Sequence, residues 1–332
     1  MGIILSGVQP TGNLTLGNYL GAIRNWVTMQ SHNTCFFCIV DLHALTVPQD
    51  PKKLKMQTRE VAAAYIASGI NPSLSTIFIQ SNISAHTELS WFLSCFTPMG
   101  WLNRMIQFKE KSGKNRESSV LGLYAYPVLQ AADILLYKAT DVPVGEDQKQ
   151  HVELARDIAG AFNRAYEKEI FPLPEPQILG EATRVMSLRD GTKKMSKSDP
   201  SEFSRIHLRD DADTIAQKIK KAKTDPDPLP EDPKLLTERP EAFNLVNIYS
   251  ALSNQSLESV CHQFAGAQFS TFKPALADLV VSIIAPIGLE IERLMNHEDE
   301  LDGILKKGND HAREVAEKTL HEVQKTIGIL RV

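Results

Sequence analysis

The sequence contains little cysteine and carries no excess of positive charge. Cysteine accounts for 4 of the 332 residues, and the formal net charge is −4 at pH 7. Such sparse cysteine fits a reduced, cytoplasmic protein. An acidic chain is also not a general binder of polyanions, although a local basic patch is enough for nucleic-acid binding.

A membrane span, a targeting segment and a metal site are not predicted either. We find no apolar run near the length needed to cross a bilayer, and no basic segment precedes Ile3-Ile4-Leu5. Cys35 and Cys38 form a C-x-x-C pair, but they lie in a run typical of a buried strand and no second close pair follows. We therefore expect no membrane contact and no metal bound by protein side chains.

Alternating strands and helices predict a parallel sheet. With 42% hydrophobic residues, the chain is long enough to form two domains. Short apolar runs recur at 3–5, 36–40, 75–80 and 142–144, and segments with helical periodicity separate them. We expect an α/β fold with a Rossmann-like sheet, whose ligand site lies beyond the carboxyl ends of its strands.

Helical patterns dominate the later part of the chain. A helix is predicted over 126–137, with Pro127 near its first turn. Further along, the clearest helical segments are 272–293, 299–306 and 311–327.

Two domains follow from this pattern. We expect a catalytic domain over residues 1–200, with a helical insertion at about 82–122, and an all-helical domain over 201–332. The last helix is free to pack back on the catalytic domain. A cluster of basic residues between Arg104 and Arg116 is a candidate patch for nucleic acid, although such clusters are usually solvated helix faces.

Two separate segments have the character of phosphate-binding loops. The turn from Pro10 to Asn18 contains glycine and leads into a helix, whose N-terminal N–H groups suit phosphate. It is neither a Walker A loop nor a G-x-G-x-x-G motif. The segment Lys194-Met195-Ser196-Lys197-Ser198 joins two lysines to small hydroxyl residues, so it can place ammonium charges against phosphate oxygens.

Two further blocks, Ala131–Tyr137 and Val144–His151, accompany these segments. Together with Gly7–Ala22 and Lys194–Ser198, they resemble the tryptophanyl-tRNA synthetase family of class I aminoacyl-tRNA synthetases, of bacterial or organellar type. The likeness begins at Ile4 and reaches the C-terminus. It implies a homodimer that converts L-tryptophan and ATP to tryptophanyl-adenylate and pyrophosphate, and then transfers tryptophan to the 3′ end of tRNA(Trp).

Adenylate formation of this kind requires no general base. The amino-acid carboxylate is already ionised, so catalysis depends on in-line positioning and on neutralising the leaving pyrophosphate. We assign Lys194 and Lys197 to the pyrophosphate, together with Mg²⁺, and expect Lys111 to join them on domain closure; Asn18 completes the catalytic set. By resemblance, the ATP-binding residues are Gln9, Pro10, Thr11, Gly17, Asn18, Gly145, Glu146, Asp147, Val185, Lys194, Met195, Ser196, Lys197 and Ser198.

Asp133 is the residue expected to select the amino acid. It lies in a predicted helix among Ala, Ile and Leu, where an ionised carboxylate is costly unless it is paired. By resemblance it accepts the indole N–H of tryptophan, a bond that phenylalanine cannot form. The other residues predicted to bind tryptophan are Tyr126 and Gln148 at the ammonium group, Gln9 at the carboxylate, Gln130 at the indole ring, and His43, for which a structural role is equally expected.

Two positions and one segment depart from the family pattern. Gln130 stands where methionine is common and Leu5 where an aromatic residue is common, which leaves the apolar lining of the amino-acid pocket less defined. The segment 239–244 replaces a Gly-Val-Ser-Asn stretch, which affects the helical domain and not the chemistry.

Other functions remain open at this point. A tyrosine-specific relative would share the fold and the dimer. A non-catalytic paralogue that binds tRNA or tryptophan is the second alternative, although the intact Asn18, Asp133, Lys194 and Lys197 argue against it. A small-molecule nucleotidylyltransferase would share the sheet and the glycine-containing turn, but would need neither Asp133 nor a long helical domain.

Overall fold

A computed structural model describes residues 2–106, 119–178 and 184–330. Within them, a central sheet is formed by Ile3–Val8 (β1), Thr34–Ile39 (β2), Ser75–Ile79 (β3), Asp141–Val144 (β4) and Glu175–Ile178 (β5). The strand order is β3-β2-β1-β4-β5, and every pairing is parallel. The predicted α/β class with a Rossmann-like sheet is therefore confirmed.

Strand β5 was absent from the predicted elements. It pairs with β4 at the edge of the sheet, with Pro176 opposite Val142. Proline has no N–H group, so it is tolerated in an edge strand at a position where the N–H would point away from the sheet. In the sequence, however, a proline makes the segment resemble a loop.

Nine helices surround the sheet or connect its strands among the described residues before 184. They are Leu16–Asn18 (α1), the π-helix Tyr19–Ile23, Arg24–Met29 (α2), Asp41–Ala44 (α3), Pro51–Ala67 (α4), Ala85–Ser94 (α5), Met99–Leu102 (α6), Leu121–Leu136 (α7) and Lys149–Tyr166 (α8). Short 3₁₀ turns at Gln80–Asn82 and Glu146–Gln148 follow β3 and β4.

Helix α7 begins at Leu121, so Pro127 lies in its interior. The prediction had placed Pro127 near the first turn. The placement was wrong because the strongest apolar periodicity starts only at Tyr126. The helix keeps Tyr126, Gln130 and Asp133 on one face, since residues four and three positions apart overlie each other on a helix.

The later part of the chain is helical. Its helices are Ala212–Lys220 (α9), Pro240–Ser253 (α10), Leu257–Gln263 (α11), Phe269–Asn296 (α12) and Glu298–Ile327 (α13), with 3₁₀ turns at Glu202–Ser204 and Pro233–Leu236.

Helix α13 is continuous where two helices, 299–306 and 311–327, were predicted. Gly308 and Asn309 are weak helix formers and suggested a break. Both are used in packing against the edge strand β3. A Cβ placed on Gly308 would lie 1.8 Å from the Ile77 carbonyl oxygen, and Asn309 Oδ1 accepts a hydrogen bond of 2.9 Å from the Ile79 N–H. Close approach to the sheet thus explains the glycine.

Helix α12 is long and apolar enough to cross a membrane by length and composition, so the expectation that no run has this length was wrong. In the fold it contacts α4, α9, α10 and α13. Its buried residues recur at helical spacing, with Phe272, Leu276, Val280, Ile284 and Ile291 among them. The helix thus turns one face into the core.

The hydrophobic core lies on both faces of the sheet. On one face, Trp26 stacks on Phe37 with ring centroids 5.1 Å apart, and this cluster continues into the helices of the later segment. On the other face, Phe36 and Phe78 pack with α7, α8 and α13. Cys35 and Cys38 are buried in these two opposite clusters, and both are free thiols.

Candidate active site

A cavity of about 510 Å³ opens at the carboxyl ends of β1 and β4. Apolar side chains form much of its wall, including Leu5, Trp26 and Ile134. Six residues predicted to bind the amino acid line it together: Gln9, His43, Tyr126, Gln130, Asp133 and Gln148. Gly145, predicted for the nucleotide, lies in the same wall. Residues that are distant in sequence and were predicted to bind the ligands therefore line one cavity.

Asp133 is the buried polar centre of this cavity. Only 2% of the residue is exposed, and three side chains bond its carboxylate. Gln80 Nε2 donates to Oδ1 at 2.8 Å, and His86 Nδ1 lies 2.6 Å from the same oxygen. His43 Nε2 lies 2.7 Å from Oδ2. Since a carboxylate has about four acceptor positions, Oδ2 keeps more capacity for a ligand N–H than Oδ1.

The carboxylate of Asp133 is held in its ionised form. Burial alone would raise the pKa of Asp133, but the charges and hydrogen bonds of His43 and His86 outweigh burial and hold the pKa well below its usual range. His86 is fixed in turn, because its Nε2 lies 2.9 Å from the Tyr137 hydroxyl oxygen. The cavity thus presents a fixed anion to an apolar ligand, a good acceptor for one N–H donor.

Gln80, His86 and Tyr137 were missed as members of the site. Gln80 directly follows β3, at the edge of the sheet where ligands bind. That position was a usable signal. His86 and Tyr137 carried none, since both are fully buried polar residues inside helical patterns.

Tyr126 stands beside the same carboxylate network. Its hydroxyl oxygen lies 2.9 Å from His151 Nε2, and its ring meets the His43 ring edge-on at a centroid distance of 6.1 Å. Burial raises the pKa of Tyr126 to about 12, so the phenol is neutral at physiological pH. Tyr126 and Gln148 therefore offer neutral polar groups in the wall of the cavity that contains the buried anion.

The turn that leads from β1 to α1 forms a second part of the site. Gly12 has φ +80°, a conformation that glycine adopts without strain. Thr15 precedes α1 as its N-cap, and its N–H donates to Asn18 Oδ1 at 3.0 Å. Asn18, predicted to be catalytic, thus also shapes the start of the helix. Pro10 and Thr11 lie in the same turn.

The lysine-containing segment 194–198 packs against this turn. The Met195 N–H donates to the Val185 carbonyl at 3.0 Å, which joins two residues predicted to bind ATP. A Cβ placed on Gly17 would lie 3.7 Å from the Cβ atoms of both residues. One placed on Gly12 would lie 3.9 Å from Lys197 Cβ. The two phosphate-type segments therefore meet in space, although about 180 residues separate them in sequence.

The two lysines of this segment differ in environment. Lys194 is exposed, whereas Lys197 is half-buried. Burial lowers the pKa of Lys197 to about 8, and the charge of Glu60 opposes that shift. Ser196 and Ser198 are exposed, with their hydroxyl oxygens 3.0 Å apart.

The remaining predicted residues lie at the rim or outside the described ranges. Glu146 and Asp147 are exposed in the 3₁₀ turn after β4, on the same edge of the sheet as the cavity. Lys111, and the basic cluster after Arg104, lie outside the described residues.

Comparison with known proteins gives one consistent result. A family model described as tRNA synthetases class I (W and Y) matches residues 2–284. A protein of Rhizobium meliloti named "Tryptophan--tRNA ligase" is 56% identical, over 99% of this chain and 98% of its own length. A Caulobacter vibrioides protein of the same name is 57% identical, over 98% of this chain and 95% of its own.

Two solved structures are also similar to this chain. The tryptophanyl-tRNA synthetase of Mycoplasma pneumoniae has a TM-score of 0.89 at 30% identity, covering 99% of this chain and 98% of that one. The enzyme of Campylobacter jejuni, complexed with ADP and tryptophan, has a TM-score of 0.84 at 35% identity, covering 98% and 100%.

Proposed function

Because this chain belongs to the class I tRNA synthetases for tryptophan and tyrosine, we propose that it activates L-tryptophan with ATP and transfers it to tRNA(Trp). Activation yields tryptophanyl-adenylate and pyrophosphate. The curated relatives that are 51–57% identical to the chain carry the name of the tryptophan enzyme, which favours tryptophan over tyrosine.

One observation carries the choice of amino acid: a buried, ionised carboxylate lies in a largely apolar cavity. Asp133 accepts the indole N–H through Oδ2, the oxygen that has only His43 as a partner among the described residues. The bond is charge-assisted, so it contributes about 1.5–3 kcal/mol. Phenylalanine has no donor and leaves the anion unpaired. Tyrosine has a donor, and the shape of the cavity excludes it.

Other polar groups of the cavity bind the backbone of the amino acid. Tyr126 and Gln148 accept from the ammonium group, and Gln9 donates to the carboxylate. All three line the cavity that contains Asp133, which supports a single site for the whole amino acid. The substrate carboxylate then points from β1 toward the glycine-containing turn, where the α-phosphate of ATP is expected.

ATP binds across the turn and the segment 194–198. The N–H groups at the start of α1 face the phosphates, Val185 contacts the adenine, and Gly145 to Asp147 contact the ribose. Lys194 and Lys197 neutralise the leaving pyrophosphate, with Lys111 as a third cation. Mg²⁺ enters with ATP, because Mg²⁺ is held mainly by substrate phosphates and water in sites of this kind. The packing of Gly12 and Gly17 against the lysine segment supports a shared nucleotide site.

The protein forms a homodimer through an exposed apolar patch. We define this patch by Trp91, Met99, Ile106, Val120 and Leu121, which are 56–77% exposed. Trp91 lies in α5, Met99 in α6 and Leu121 at the start of α7, and α7 contacts both of the other helices. Ile106 follows α6, and Val120 directly precedes α7. Large apolar side chains concentrated in one region mark an interaction surface.

The helical segment after residue 200 holds the tRNA. We keep the division into a catalytic domain over 1–200, with its insertion at about 82–122, and a helical domain over 201–332. Lys220, Lys221 and Lys223 give the second domain a basic surface around the end of α9. The reaction takes place in the cytoplasm, where tRNA and ATP occur together, and needs no membrane. The packing of α12 against four other helices supports a role in the core of the protein.

Amino-acid-dependent exchange between ATP and pyrophosphate tests this function. Purified protein with Mg²⁺ and ATP is assayed separately with tryptophan, tyrosine and phenylalanine. Exchange with tryptophan alone, followed by charging of tRNA(Trp), is the expected result. Exchange with tyrosine alone would assign the tyrosine-specific activity, and tryptophan binding without exchange would assign a non-catalytic role.

A further inference from the structure

A buried carboxylate that the proposed reaction does not use lies on α4. Glu60 is 4% exposed, and its Oε2 has no hydrogen-bond partner among the described residues. Arg209 Nη1 lies 3.8 Å from this oxygen, close enough for charge attraction but too far for a hydrogen bond. An anion in such a place is costly unless nearby cations compensate it, so its position requires an explanation.

The surroundings of Glu60 place it behind both phosphate-type segments. One turn earlier on α4, the Gln57 amide bonds the Pro10 carbonyl at 2.9 Å and the Gly12 N–H at 3.1 Å, in the orientation that satisfies both. The Lys197 side chain passes within about 4 Å of the Cβ position of Gly12. Helix α4 therefore supports the glycine-containing turn that Lys197 contacts.

Glu60 also faces the helical segment. Arg209 follows Leu208, whose N–H donates to the Leu14 carbonyl at 2.9 Å, just before α1. The turn that α4 supports and the first residues of the helical segment thus lie beside one carboxylate, and the lysine segment packs on the same turn.

The charges of this group act on each other. Burial raises the pKa of Glu60, and the cations Arg209 and Lys197 lower it. Burial lowers the pKa of Lys197 to about 8, and Glu60 raises it. Arg209 and Lys197 are the charged groups that act on Glu60 among the described residues, and Glu60 is the one that acts on Lys197.

We propose that Glu60 is a positioning residue for adenylate formation. Its carboxylate holds the charged Lys197 side chain beside the glycine-containing turn until the pyrophosphate group of ATP replaces Glu60 as the counter-charge of Lys197. This inference rests on the proposed function. It explains why a carboxylate is buried near Lys197 without a hydrogen bond between the two: the lysine must be free to turn to the pyrophosphate group. Arg209 then remains as the cation that compensates Glu60.

The pH dependence of kcat/KM for ATP, at saturating tryptophan, tests the proposal. This ratio reports ionisations of the enzyme before ATP binds. Protonated Lys197 is the active form, so kcat/KM falls on the alkaline side. Removing a negative charge makes the proton easier to lose, so Glu60→Gln moves the alkaline midpoint to lower pH by about one unit. Glu60→Asp restores most of the shift, and KM for tryptophan stays unchanged.

Two variants control for other causes. Asp302→Asn also removes one negative charge, but from a surface ion pair with Arg59, the neighbour of Glu60 on α4. In this pair, Arg59 Nη2 lies 2.7 Å from Asp302 Oδ2. The Asp302→Asn substitution leaves the midpoint unchanged. Lys197→Arg removes the alkaline decline, since a guanidinium stays charged over the range tested.

Coincident midpoints for wild type and Glu60→Gln would overturn the proposal, as would an equal shift in Asp302→Asn. A uniform fall at every pH that Glu60→Asp does not restore would indicate a purely structural role and would also overturn it. Tryptophan-dependent exchange by the wild type supports the proposed function whichever way the Glu60 variants behave. Its absence would overturn both conclusions.

Discussion

Replacing Asp133 by alanine should change the choice of amino acid more than any other single substitution in the cavity. The wild-type carboxylate is buried and accepts from His43, Gln80 and His86 at 2.6–2.8 Å. We expect its remaining capacity on Oδ2 to bind the indole N–H, at about 1.5–3 kcal/mol. Since 1.4 kcal/mol corresponds to a factor of ten, kcat/KM for tryptophan falls by roughly 10- to 150-fold.

Phenylalanine should respond in the opposite direction. Phenylalanine has no N–H donor for Asp133, so it loses no hydrogen bond in the alanine variant. Because the variant also lacks the carboxylate that phenylalanine leaves unpaired, kcat/KM for phenylalanine stays level or rises. The ratio of the two values therefore falls by at least the factor given for tryptophan. ATP–pyrophosphate exchange with both amino acids on one enzyme preparation measures this ratio directly.

Stability must be separated from selectivity in this experiment. Asp133→Ala leaves three buried donors without their acceptor, each at a cost of about 1–3 kcal/mol if no water enters, so the variant is less stable. The ratio is insensitive to the active fraction, because both substrates meet the same protein. Asp310→Ala, which removes an exposed carboxylate paired with Arg313, serves as a control and should not change the ratio. An unchanged ratio in Asp133→Ala would refute the role of the carboxylate.

Three further predictions concern the lysine segment, the packing of α13 and acid stability. Lys197→Ala should slow tryptophan-dependent exchange about 100-fold or more by removing charge from the transition state, with tryptophan affinity nearly unchanged by calorimetry; normal turnover with weak affinity would contradict this. Gly308→Ala should lower the free energy of unfolding by about 1–3 kcal/mol, because its Cβ would lie 1.8 Å from the Ile77 oxygen. Gly303→Ala lies on the same helix, where an added Cβ would meet no atom of the described residues within 4 Å outside the helix's own backbone, and it should raise the free energy of unfolding by up to about 1 kcal/mol. Equal effects of the two substitutions in urea denaturation would count against the packing of α13 on β3. Because the pKa of Asp133 is lower in the folded than in the unfolded state, Asp133 stabilises the fold above its unfolded-state pKa, and this stabilisation is lost as pH falls toward the folded-state pKa. The stability advantage of wild type over Asp133→Asn should therefore shrink between about pH 5 and pH 3. A difference that stays constant over this range would contradict the prediction.

Much of the fold could be predicted from sequence because its signals are local. The first three strands are buried apolar runs, and the helices between them have clear periodicity and caps, such as Asp50 before α4. The elements that were wrong depend on contacts between distant residues. Gly308 suggested a break until its approach to Ile77 was known, and β5 contains Pro176, which makes this edge strand resemble a loop in sequence.

The candidate site shows the same division. Asp133 was identifiable because an acidic residue stood out in an apolar helix. Its partner His43 was already a candidate, but the contacts of Gln80 and His86 with Asp133 were not identifiable, since they depend on how β3 and α5 pack against α7. Glu60 was equally invisible, because α4 is rich in charged residues and only the packing shows which one is buried.

A crystal structure of the protein with L-tryptophan shows where the amino acid binds. We expect the indole ring inside the cavity at the ends of β1 and β4, with its nitrogen about 2.7–3.2 Å from Asp133 Oδ2. An indole nitrogen bonded elsewhere, or a ring bound outside this cavity, would contradict this expectation.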